Sequence, residues 1–144
     1  MQECNCKLRD FVNKKSLVAI LLFLIIVAVF IWSNSLEDYG SSLPPMLSPE
    51  IPVIDGEIVT SKEAKFEVTR GYIIEIKTKK SFNQTIEFYK SQFEKAGTTL
   101  SFHDVISEEE VASAEAAIES TIIHLEIIDK KDHTFVTMAI HLNK

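Results

Sequence analysis

Residues 107–119, SEEEVASAEAAIE, set how many helices this chain packs on its sheet. Ser107 with Glu110 three positions on is a capping-box pattern, in which each side chain reaches the other residue's backbone N–H. Three glutamates, Glu108 to Glu110, put negative charge where a helix dipole favours it, and Ala112, Ala114, Ala116 and Ala117 are strong helix formers. The stretch is predicted to be a helix over 108–119. At about 100° per residue, Glu108, Glu115 and Glu119 then fall within about 40° of one another. A solvated surface explains such a face; its functional alternative is a docking surface for a basic protein partner.

Upstream lies a second helical signal, SFNQTIEFYKSQFEKAG over 81–97. Ser81 and Gln84 repeat the capping-box spacing, and Gly97 is a natural C-terminal stop. Phe82, Ile86, Tyr89, Phe93 and Ala96 recur at four, three, four and three, a band about 80° wide that marks a core face. Phe88 lies about 120° round from Phe82. It is the one aromatic off the stripe, and a candidate contact residue.

Between and around these helices the apolar period falls to two, the mark of half-buried strands. Residues 65–68 and 72–77 alternate, and Thr69-Arg70-Gly71 reads as a three-residue hairpin loop pairing Val68 with Tyr72 and Phe66 with Ile74. Residues 57–60 and 99–103 are further strand candidates. Residues 121–128 and 134–142 form a last hairpin around Asp129-Lys130-Lys131-Asp132, with Leu125 facing Val136 and Ile123 facing Met138. The expected fold over 53–144 is α+β: a small antiparallel or mixed sheet of about five strands with two helices packed on it.

Residues 17–32, LVAILLFLIIVAVFIW, are apolar without interruption. With its flanking serines the segment 16–33 is about 27 Å long as a helix, at about 1.5 Å per residue, against a hydrocarbon core of about 30 Å. Lys14 and Lys15 on one side, Trp32 and Tyr39 on the other, are placed as interfacial anchors. A cleaved signal peptide is the rival. Its small-x-small site would have to be Ser33-Asn34-Ser35, straight after a bulky Phe-Ile-Trp, so an uncleaved transmembrane anchor is expected. Lys7, Arg9, Lys14 and Lys15 make residues 1–15 a cytoplasmic tail. Residues 34–144 then lie outside the cell membrane or in the periplasm. All four prolines fall within 44–52, so 34–52 reads as a proline-rich spacer leading to the domain.

The outer part holds 11 Lys and Arg against 19 Asp and Glu, a balance that repels nucleic acid. Cys4 and Cys6 are confined to the tail; they supply too few ligands for structural zinc, and the domain has no disulfide. No cofactor or metal is implied. In the hairpin register above, His124 and His141 stand about 13 Å apart, at about 3.3 Å per residue, too far to share an ion. Nothing in the outer part has the pattern of a nucleophile, a G-x-S-x-G elbow or a triad. Carboxylate pairs stay open at this level.

From Pro52 to Gly97 the order is proline, Asp55-Gly56, Ile58-Val59, a hairpin ending Ile76-Lys77-Thr78, then the Ser-capped helix with its Phe-Tyr pair and terminal glycine. This resembles small extracytoplasmic α/β domains of bacterial lipoproteins and single-pass membrane proteins. It departs from them in lacking a lipidated cysteine and in carrying Thr98-Thr99 where an aromatic usually follows the glycine. The resemblance implies a cell-envelope location and brings no catalytic residue. The expected function is a non-catalytic, membrane-anchored interaction module with a protein partner in the envelope; the alternative is a small-ligand or cell-wall-binding sensor.

Overall fold

Buried positions alternate with less buried ones along residues 111–118 and 134–140. The computed structural model describes residues 14–33, 35–67, 69–106 and 110–142. Its elements are α1 (Lys14–Ser33), β1 (Glu57–Phe66), β2 (Thr69–Thr78), α2 (Phe82–Lys95), β3 (Ser101–Ile106), β4 (Val111–Ile118), β5 (Thr121–Asp129) and β6 (Thr134–Leu142). The chain divides into two units after Ser35. The protein is α+β, with one fully antiparallel sheet in the order β1-β2-β6-β5-β4-β3.

The first unit contributes α1. Its side chains are described from Ile20 to Val29, and eight large apolar ones among them are 50% to 66% exposed. Among the described residues no helix is long and apolar enough to cross a membrane. Cys4 and Cys6 lie outside the described residues.

In the second unit one face of the sheet is the core. Ile74 and Ile76 of β2, Val136, Met138 and Ile140 of β6, and Ile123 and Ile127 of β5 are all fully buried. Such side chains each contribute about 1.5–3 kcal/mol on burial. Over them lies α2, whose Phe82, Ile86, Tyr89 and Phe93 are buried as the stripe predicts, whereas Ala96 is exposed. Ser81 caps the helix with both bonds of the capping box, to and from Gln84 at 3.3 and 3.1 Å. At the other end Gly97 takes a φ of 76°, and Thr98 N–H donates to the Phe93 carbonyl and Gly97 N–H to Glu94, a Schellman stop.

Three sequence expectations are corrected. Where a helix over 108–119 was predicted, Val111–Ile118 form strand β4, and residues 108 and 109 lie outside the described residues. Ala112, Ala114, Ala116 and Ile118 point into the core, while Val111, Ser113, Glu115 and Ala117 point away. Pairing with β3 and β5 on both sides overrides alanine's helix preference. Among its described residues the second unit therefore has six strands and one helix.

The first hairpin reverses between Phe66 and Thr69, ahead of the predicted loop, and pairs Phe66 with Thr69 and Ala64 with Gly71; Val68 lies outside the described residues. Gly71 sits inside β2. A Cβ there would run into the Ile140 carbonyl of the neighbouring strand and reach within 3.1 Å of the Phe66 ring. The glycine serves close approach, not turning. In the last hairpin the register is shifted by two from the prediction: Leu125 faces Met138 and Ile123 faces Ile140. A shift of two leaves every side chain on its own face, so the apolar pattern cannot detect it.

The described part of 34–52 is folded onto the sheet. Tyr39 N–H donates to the Ser61 carbonyl and Glu63 N–H to the Glu37 carbonyl, both at 2.7 Å, so residues 37–39 cover the outer edge of β1. Tyr39 packs edge-on against Tyr72 at 6.2 Å, and Ile51 and Ile54 join the core. Burial, then the carboxylates of Glu37 and Glu63, push the Tyr39 hydroxyl up to about 12.

Candidate functional site

At one end of the sheet, where β1 begins and β2 ends, an open cleft of about 750 Å³ is bounded by the turn into α2 and the β5–β6 loop. Its middle is basic: Lys77 at the end of β2, then Lys79 and Lys80 in the turn. Asp55 and Glu57 flank them at the start of β1, and Asp132 and His133 on the opposite side in the β5–β6 loop. The β2 register fixes this arrangement, because Lys77 pairs with Glu57 on one side and with Phe135 on the other.

Two buried threonines hold the frame. Thr78 Oγ1 donates to the Asp55 carbonyl at 2.8 Å and accepts from Lys80 N–H at 3.3 Å. Thr134 Oγ1 donates to the Lys80 carbonyl at 2.8 Å. Gly56 lets the incoming strand pass close to β2; a Cβ there would lie 2.5 Å from the Lys77 carbonyl. The capping box fixes Gln84 on the rim. Among the described residues the ion pairs are Lys90–Glu87 and His124–Glu115, so none of the cleft's charged groups is engaged with another. Charges of both signs lining one cleft can recognise a polar ligand.

A second cluster lies on the sheet face away from α2. Phe66 stacks on His141 at 3.8 Å, His141 meets His124 edge-on at 5.0 Å, and His124 Nδ1 is 3.2 Å from Glu115 Oε2. The register shift brings the two histidines together, against the separation expected from the sequence. Burial, followed by the neighbouring His124, pulls His141 below the usual histidine value, with Glu115 opposing. Among the described residues no group of three or more His, Cys, Asp or Glu is placed to hold a metal.

The predicted acidic face does not assemble. Glu108 lies outside the described residues. Glu115 is on the outer face of β4, paired with His124, and Glu119 sits in the β4–β5 turn with a φ of 52°. Four strand positions separate the latter two, about 13 Å at about 3.3 Å per residue. Glu110, expected in a cap, instead neighbours Asp129, whose hydrogen bond and charge raise its carboxyl. Phe88 is half-buried, edge-on to Tyr89 at 5.1 Å, and packs against the core.

Sequence reasoning passed over the cleft residues. The available signal was Lys77-Thr78-Lys79-Lys80 directly before a helix cap, in a chain of net charge −6. Comparison with protein-family models, curated proteins and solved structures returned no match.

Proposed function

We propose that this protein is a membrane-anchored, extracytoplasmic binding module of the cell envelope that works through contact and not catalysis. The observation that carries the reading is α1, in which eight of the nine large apolar side chains from Ile20 to Val29 are at least half exposed. Burying them is worth on the order of 10–20 kcal/mol, and a bilayer supplies that burial along the whole circumference of the helix. Lys7, Arg9, Lys14 and Lys15, before and at the start of α1, and the acidic character of the residues after it favour a cytoplasmic N-terminus.

Fractionation tests this. The full chain is expected to stay with membranes through alkaline carbonate and urea washes, and Leu24→Arg to weaken that retention. Recovery in the soluble fraction, or a mature N-terminus near Leu36, would sink the anchor. A partner protein is expected at stoichiometric level in pull-downs from detergent-solubilised cells, and its absence would count against the contact role. The cleft at the end of β2 favours a second reading, in which the module senses a small ligand.

A further inference from the structure

The Lys77–Lys80 cleft carries three ammonium groups, Lys77, Lys79 and Lys80, and three carboxylates, Asp55, Glu57 and Asp132. In a protein this acidic, a site with equal numbers of both signs departs from the surrounding surface. The sequence of charges across the sheet end is also ordered: carboxylates on the β1 side, ammonium groups at the centre, and a carboxylate with His133 on the β5–β6 side. Ordinarily such neighbours neutralise one another. Among the described residues no ion pair joins these groups, and hydrogen bonds from Thr78 and Thr134 order the backbone at Asp55 and Lys80.

A simple anion would meet the three lysines but also the flanking carboxylates, which repel it. A simple cation would meet the reverse. A molecule with a carboxylate and an ammonium group a few ångströms apart satisfies both, as charge-assisted hydrogen bonds at each end. The volume of about 750 Å³ lies within the range of small-ligand sites and accommodates more than one amino-acid residue. We infer that this cleft binds a zwitterionic ligand of the amino-acid or short-peptide class, its carboxylate on Lys79 and Lys80 and its ammonium group on Asp55 and Glu57. The inference rests on the small-ligand reading of the cleft and makes no use of the anchor.

The test is isothermal titration calorimetry on the full chain in detergent micelles. The probes are alanyl-alanine with free termini, its N-acetyl form, its C-terminal amide, and inorganic phosphate. The expected result is saturable binding of the free dipeptide, weakened about tenfold or more by blocking either terminus, since each block removes one charge-assisted contact. Lys79→Gln/Lys80→Gln is expected to abolish discrimination against the amide, and Glu57→Gln that against the N-acetyl form. All three positions are exposed, and unchanged circular dichroism would show that the fold is kept. Equal binding of free and blocked dipeptides would overturn the assignment. Phosphate binding as tight as the dipeptide's would overturn the zwitterion while leaving a ligand site in place. Heat signals that fail to saturate with every probe would remove the ligand reading itself.

Discussion

Thr85 and Thr78 offer a test in which one substitution has opposite signs at two sites. Both are buried, at 0% and 1% exposure, and both sit beside the core. Thr85 Oγ1, on the inner face of α2, has no hydrogen-bond partner among the described residues, whereas Thr78 Oγ1 serves both the Asp55 carbonyl and Lys80 N–H. Valine matches threonine in shape and replaces the hydroxyl with a methyl group. At Thr85 the helix propensities nearly cancel, so what remains is relief of an unsatisfied buried hydroxyl, about 1–2 kcal/mol of stabilisation. At Thr78 the change strands a carbonyl and an amide, for a loss of about 2–3 kcal/mol, despite valine's preference for strands. For a unit of this size about 1 kcal/mol moves Tm by about 4 °C. Thermal melts followed by circular dichroism should therefore show Thr85→Val about 4–8 °C above the wild type and Thr78→Val about 8–12 °C below it. A fall in Tm for Thr85→Val, or no change for Thr78→Val, would refute the reasoning from hydrogen-bond satisfaction.

Other expectations follow from the sheet and its outer face. Gly71→Ala forces β2 and β6 apart at the Ile140 carbonyl and should cost about 3 kcal/mol or more, read as a lowered urea midpoint with fast amide exchange in both strands. Phe88→Ala removes a half-buried ring edge-on to Tyr89 and should cost about 1–2 kcal/mol; a loss above about 4 kcal/mol would mean that the ring belongs to the core proper. His141 is held below the unfolded value of 6.5, so the stability of its neutral form is complete above that pH. Below it the unfolded chain takes up a proton that the folded chain does not, and stability falls until the lowered folded pKa is passed. Tm should therefore drop as pH falls through about 6.5, and His141→Gln should remove part of that drop. Glu110, raised by Asp129, works in the opposite sense, so the difference between the two proteins isolates the histidine.

What the sequence disclosed depended on whether the signal was local. The caps and buried stripe of α2 were legible because they lie within one turn or one face of a single element. The apolar faces of β5 and β6 were legible for the same reason, but their register was not, since shifts of two are invisible to alternation. Residues 107–119 misled because alanine's helix preference outweighed a period-two pattern that Ala117 blurs. Gly71 was read as a turn residue when its need for an absent Cβ comes from β6, far along the chain. The cleft stayed hidden because its residues come from separate segments, brought together by the pairing of β2 with β6.

That pairing also governs how the domain comes into being. β6 is the last of the six strands to be synthesised, yet it occupies the third place in the sheet. Before it emerges, β1–β2 and β3–β4–β5 are two fragments with no strand bonds between them. The inner edges of β2 and β5, with their isoleucines, stand open. Such edges recruit other chains. The protein is thus most exposed to aggregation during its own synthesis. A premature stop just before β6 would be as damaging as one much earlier, because it withdraws the strand that joins the two halves.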